Sequence, residues 1–105
     1  MGFKFVSMSK ANDGKHKYQV KLINTDSNRE KTVKFGSSGM KDYTLYQKDG
    51  KAEADKRKAL YIDRHSKTEN WTASGAGSAG FWARWVLWNK PTVQASLADA
   101  KAKLG

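Results

Sequence analysis

An α+β fold follows from three observations in this 105-residue chain. The first third alternates apolar and polar residues in short runs, as antiparallel strands do when one face is buried and the other wet. The stretch Lys51 to His65 is built largely from good helix formers. The last third holds a run that is apolar on nearly every side, Ser78 to Pro91, followed by an amphipathic repeat. A small antiparallel sheet of three to four strands, then about three helices packed on one face with a tryptophan-rich central helix, accommodates all of these. At this length one domain spanning 1–105 with one modest core is expected.

The strands come first. Phe3 to Met8 alternates, with Phe3 and Phe5 on one side and Lys4 and Val6 on the other. Asn12-Asp13-Gly14 is a turn signal. Tyr18, Val20 and Leu22 then alternate with Lys17, Gln19 and Lys21. A polar connection, Asn24 to Asn28, leads to a third strand with Val33 and Phe35 inward and Thr32 and Lys34 outward. The three form a meander whose wet face carries Lys17, Lys21 and Lys34. Gly36-Ser37-Ser38-Gly39 lacks the glycine spacing and the Gly-Lys pair of a nucleotide-binding loop, so it reads as structural. Tyr43-Thr44-Leu45-Tyr46 is expected as a short fourth strand, closed by a turn at Lys48-Asp49-Gly50.

The helices follow. From Lys51 to His65, Ala52, Ala59 and Ile62 share one side, with Leu60 at its margin. Arg57, Lys58, Tyr61, Arg64 and His65 gather on the other, which predicts an amphipathic helix with an outward basic face. There arginine suits phosphate, and Tyr61 is placed to stack on a base. Ser66 to Gly77 is a connection in which Trp71 tucks toward the core. Ser78 is a helix N-cap, and Asn89-Lys90-Pro91 ends the tryptophan stretch. Within it Phe81, Trp85 and Trp88 fall on one face, Trp82 and Val86 beside them, and Ala83 and Leu87 roughly opposite. Arg84, the sole charge between Ser78 and Asn89, is expected to meet a carboxylate such as Asp42, Asp63 or Glu69. Thr92 caps a last helix, where Val93, Leu97, Ala100 and Leu104 recur on one stripe.

Charge sets the prior on partners. Twenty Lys and Arg against ten Asp and Glu leave a net charge of +10. Such a field attracts nucleic acid or acidic proteins. The chain has no cysteine, which excludes disulfides and thiolate metal sites. No apolar run has the length of a membrane span, so no membrane partner is expected. The two histidines, His16 and His65, have no metal-ligand spacing around them. No serine lies in a nucleophile elbow. No catalytic residue, metal site or cofactor is expected. A metal-dependent, nucleic-acid-processing site around His65 and Glu69 is the thinnest alternative. A protein-binding module with Tyr43, Tyr46 or Trp71 as hot spots is another.

Val33-Lys34-Phe35-Gly36, Asp42-Tyr43-Thr44, Tyr61-Ile62-Asp63-Arg64-His65 and Glu69-Asn70-Trp71 form an ordered set. It continues with Ser78-Ala79-Gly80 and Arg84-Trp85-Val86-Leu87-Trp88-Asn89-Lys90-Pro91-Thr92. Together these resemble a family of small, basic, uncharacterised proteins encoded by large DNA viruses of algae and amoebae. The resemblance spans roughly residues 9 to 104 and implies a viral origin and possible place in the virion, or elsewhere inside the infected cell. No activity transfers with it. The expectation is therefore a non-enzymatic, virion-associated protein, a minor capsid or genome-associated component. It would bind nucleic acid, or an acidic viral protein, through Lys17, Lys21, Lys34, Arg57, Lys58, Tyr61 and Arg64.

Overall fold

A computed structural model describes residues 2–104. Strands β1 (Phe3–Lys10), β2 (His16–Asn24) and β3 (Glu30–Ser37) form an antiparallel sheet in the order β1-β2-β3. Helices α1 (Tyr43–Tyr46) and α2 (Lys51–His65) follow. α3 (Ala79–Trp82) runs directly into a π-helical segment, Ala83–Leu87, and α4 (Val93–Leu104) closes the chain. The α+β class and the antiparallel meander are as the alternation predicts.

The β1–β2 turn forms because Asp13 Oδ1 accepts the N–H groups of Lys15 and His16 at 2.9 and 3.0 Å. Gly14 there takes a φ of 73°, which glycine adopts without steric cost. β1 carries a bulge between Phe5 and Ser7. The extra residue resets the alternation, so Phe3, Phe5 and Met8 all pack on the core although their spacing breaks a strict period of two.

The core lies between one sheet face and the C-terminal third. Val20, Leu22, Val33 and Phe35 meet Phe81, Trp82, Val86, Leu87 and Ala100. Trp82 is fully buried, and its indole N–H donates to the Ala76 carbonyl at 2.7 Å. Val93, Leu97 and Leu104 of α4 pack against this cluster along the stripe the sequence predicts. Thr92 Oγ1 accepts the Ala95 N–H at 3.2 Å, as an N-cap should.

Three expectations are corrected. Tyr43–Tyr46 is a helical turn and not a fourth strand. Asp42 accepts the N–H groups of Thr44 and Leu45 at 2.9 and 3.2 Å, and this local cap outweighs the strand propensity of Tyr and Thr. The tryptophan-rich helix is present as expected, but it is not α-helical throughout. After Ser78 caps it, the turn widens to an i→i−5 bond from the Trp88 N–H to the Ala83 carbonyl at 3.2 Å. Residues five apart then stand over one another, so the buried face is Phe81 and Val86 with Trp82 and Leu87, leaving Trp85 and Trp88 half-buried.

The third correction is the orientation of α2. Its buried residues are Ala54 and Tyr61, while Ala52 and Ala59 are exposed and Leu60 is 52% exposed. Of the side expected to face water, Arg57 and Arg64 are exposed, but Tyr61 is buried and Lys58 half-buried, because aromatic rings from later in the chain offer a better partner than two alanines do.

Candidate functional site

Two surfaces carry chemistry. The first is the sheet face turned away from the helices. Register fixes what it displays: Ser7 stands opposite Lys21 and Lys21 opposite Thr32, while Ser9 stands opposite Gln19 and Gln19 opposite Lys34. Lys4 lies on the same face beyond them, opposite Ile23. Lys4, Ser7, Ser9, Lys21, Thr32 and Lys34 are all exposed. Hydroxyls flank Lys21 on both sides, while Lys34 has the Gln19 amide beside it. The acids lie at the two ends: Glu30 opposite Ile23, and Asp13 in the β1–β2 turn, 3.7 Å from Lys34 Nζ. A hydrogen bond from His16, with two backbone N–H groups, holds the Asp13 carboxyl well below the usual range.

Lys17 shares the alternation of Lys21 but not its freedom. Its side chain is 15% exposed, and Nζ donates to Asp42 Oδ2 at 2.6 Å. Asp42, the α1 cap, is 4% exposed at the side chain, so the pair ties the sheet end to α1. Lys17 is thus a structural ion-pair partner and not one of a row of free lysines.

The second surface is an aromatic ladder beneath α2. The Tyr61 ring stacks on Trp88 at 4.6 Å between centroids and 6° between planes. Trp71 lies at 6.2 Å on Tyr61, and Tyr46 at 6.2 Å from Trp88. His65 adds a tilted contact to Tyr61 at 4.4 Å. Cations are built into this ladder. Lys58 Nζ donates to the Asn89 carbonyl at 2.8 Å and lies 4.7 Å from the Tyr43 ring centre. Burial lowers its pKa, and the nearby Arg84 charge adds to that. Arg57 pairs with Glu53 at 3.0 Å and lies over Tyr46.

Arg84 meets no carboxylate among the described residues. Its guanidinium lies between Trp85 at 4.2 Å and Trp71 at 5.4 Å, and it donates to the Trp88 carbonyl. Burial lowers its pKa too. Planar, weakly hydrated guanidinium tolerates such an aromatic cage better than an ammonium would.

So Tyr61 and Lys58 do not form the outward basic face expected of them. Tyr61 is 7% exposed and its ring is committed to protein neighbours. Arg64 alone, of the four α2 residues singled out in the sequence, is exposed without an ion pair among the described residues. None of the Phe, Tyr or Trp side chains is classed as exposed. The ring faces that would stack on bases, or serve as protein hot spots at Tyr43, are turned inward.

Between the end of α2, α3 and the bent end of β2–β3 lies an open cleft of about 300 Å³. Arg64, His65 and Glu69 line it, with Tyr61, Leu87 and Trp88 among its apolar parts. Two glycines make room for its walls. A Cβ on Gly36 would stand 2.6 Å from Leu87 Cδ1, and one on Gly80 would stand 2.3 Å from Glu69 Oε1. His65 Nδ1 and Glu69 Oε2 are 3.8 Å apart. Among the described residues, no three His, Asp or Glu side chains converge to hold a metal. His65 and Glu69 stand as a pair.

Lys4 and the cleft are what sequence reasoning missed. Alternation in β1 already put Lys4 beside Val6, but only the register shows which lysines share its face. The Asp42 cap did have a signal, an acid just before a polar N–H at Thr44.

The fold and these surfaces define an α+β domain with a bare lysine-bearing sheet face and an aromatic, helix-covered back. The chain belongs to a family of unknown function, DUF5754, which it matches over residues 6–65, more than half its length. The matched part runs from β1 to the last residue of α2, so the tryptophan segment and α4 that complete the core lie outside it. No curated protein and no solved structure matches the chain. No helix among the described residues is long and apolar enough to cross a membrane.

Proposed function

We propose that this chain is a non-enzymatic, virion-associated basic protein that binds nucleic acid through the phosphate backbone. The observation that carries the reading is the bare sheet face, where Lys4, Lys21 and Lys34 stand exposed among hydroxyl and amide side chains. Such a surface supplies charge and hydrogen-bond donors to phosphate oxygens, and it offers no ring for a base. Binding is therefore tolerant of sequence and dominated by counterion release. The net charge of +10 adds long-range attraction. The viral setting rests on the resemblance in the ordered motifs from Val33 to Thr92.

The test is affinity for labelled duplex DNA, single-stranded DNA and RNA at two salt concentrations. Affinity should fall steeply with salt. The combined variant Lys4→Gln, Lys21→Gln, Lys34→Gln should flatten the log–log salt slope on duplex by about 2 to 3, close to one unit per lost phosphate contact. Absence of binding at low salt, or a slope unchanged in the variant, would sink the reading. The sheet face would then be left to an acidic protein partner.

A further inference from the structure

The cleft at the end of α2 is unclaimed by this reading, and its chemistry is different. Two of its cations are engaged, Lys17 with Asp42 and Lys41 with Asp49, while Arg64 and the Tyr61 hydroxyl are open. Arg64 has no ion pair among the described residues. Tyr61 is 7% exposed, lines the cleft, and has no hydrogen-bond partner for its hydroxyl among the described residues. Burial first, and the neighbouring Glu69 carboxylate second, push the Tyr61 phenol up to about 12, and it is an O–H donor at neutral pH. Asp42 also lines the cleft, but its carboxylate is taken up by Lys17, Thr44 and Leu45. Glu69 is the one carboxylate there without such commitments. It lies beside His65 and over Gly80.

We propose that this cleft binds a phosphate monoester carried on a compact planar body, the chemistry of a nucleoside monophosphate. Arg64 and the Tyr61 hydroxyl hold the phosphate. Donors on separate side chains suit a tetrahedral anion with three oxygens, whereas a carboxylate is satisfied by the arginine fork alone. Ala79 and Ala83, with the half-buried Trp88, supply a small apolar surface for the planar part. Glu69 accepts from its hydroxyl or amino groups. A volume of about 300 Å³ lies at the small end of ligand sites, too small for a polymer to lie within it.

The site stands apart from the sheet-face reading, since it uses none of Lys4, Lys21 or Lys34. Two sources share this chemistry, a free nucleotide and the phosphorylated end of a strand.

Calorimetric titration of the full chain with adenosine 5′-monophosphate, adenosine and inorganic phosphate tests it. The monophosphate should bind about tenfold or more tighter than adenosine, the worth of charge-assisted hydrogen bonds. Arg64→Ala, at an exposed position, should erase that preference. Tyr61→Phe keeps the stacked ring and should weaken the monophosphate by about threefold or more. Equal affinity for monophosphate and adenosine, or a preference that survives Arg64→Ala, overturns the proposal.

Oligonucleotides with and without a 5′-phosphate separate the sources. An Arg64-dependent preference for the phosphorylated end, tighter than the free monophosphate, assigns a strand terminus. A weaker or absent end preference, with monophosphate binding intact, assigns a free nucleotide. Loss of the cleft proposal with salt-dependent DNA binding retained leaves the sheet-face function untouched.

Discussion

The two sides of this molecule use the same residue types for opposite purposes. On the sheet face, Lys4, Lys21 and Lys34 stand exposed to water, Lys21 among hydroxyls and Lys34 between the Gln19 amide and the Asp13 carboxylate at 3.7 Å. Beneath α2, Lys58 and Arg84 are drawn in among Tyr43, Trp71 and Trp85, and burial lowers the pKa of both. A net charge counts both sets equally. Only the first is available to a polyanion, while the second holds the domain together. Basic composition therefore overstates the binding surface of a small protein whenever cations are used as packing against rings.

The sharpest way to break this contrast is to remove the centre of the ladder. Tyr61→Ala loses the Trp88 and Trp71 stacks together and should destabilise the domain by about 3–4 kcal/mol, read from urea unfolding. A loss below about 1 kcal/mol would show that the ladder is decoration.

Gly36 tests the seam between the two sides. Its φ of 77° and the 2.6 Å approach of Leu87 Cδ1 leave no place for a methyl group. Gly36→Ala should cost about 2 kcal/mol, measured by thermal unfolding, with affinity for DNA per folded molecule unchanged.

Alkaline pH probes the ladder without a mutation. The folded Tyr61 pKa of about 12 lies above the ordinary value of 10.0. A raised folded pKa means the contribution is intact below the unfolded value and is lost as pH climbs through the folded one. Stability should fall between pH 10.0 and about 12, by about 2 kcal/mol from this group. The Tyr43 phenol, raised first by its hydrogen bond to Asp55, shares the window. Tyr61→Phe should therefore remove part of the drop in a pH series of denaturation curves, not all of it.

The smallest effect is a matched pair. Lys58→Met leaves the Asn89 carbonyl without its donor and should cost about 1 kcal/mol, while Lys21→Met should change stability by less than about 0.5 kcal/mol. Salt-dependent DNA affinity should move the other way, falling for Lys21→Met and holding for Lys58→Met. Identical behaviour of the two would dissolve the distinction drawn here.

Much of the local structure was legible. The alternation around Val20, Leu22, Val33 and Phe35 placed β2 and β3, and the repeat Val93, Leu97, Ala100, Leu104 placed α4. Lys51–His65 is helical over the span its composition indicates. Of the site, Lys21 and Lys34 were legible, because parity in a strand determines the face, while Lys4 was missed and Lys17, of the same parity, is tied to Asp42. The cleft was not, since its walls come from β2, β3, α2 and α3.

Propensity, periodicity and caps such as Ser78 and Thr92 act within a few residues, so the sequence by itself determined where the strands and the longer helices run and how much charge they carry. Tertiary structure decided which way α2 faces, how the tryptophan segment widens, and which cations are left for a ligand. α2 carries too weak an apolar stripe to choose its own side. Its orientation was set by Trp71 and Trp88, beyond its own C-terminus, whose rings stack on Tyr61, and by the Asn89 carbonyl that accepts from Lys58.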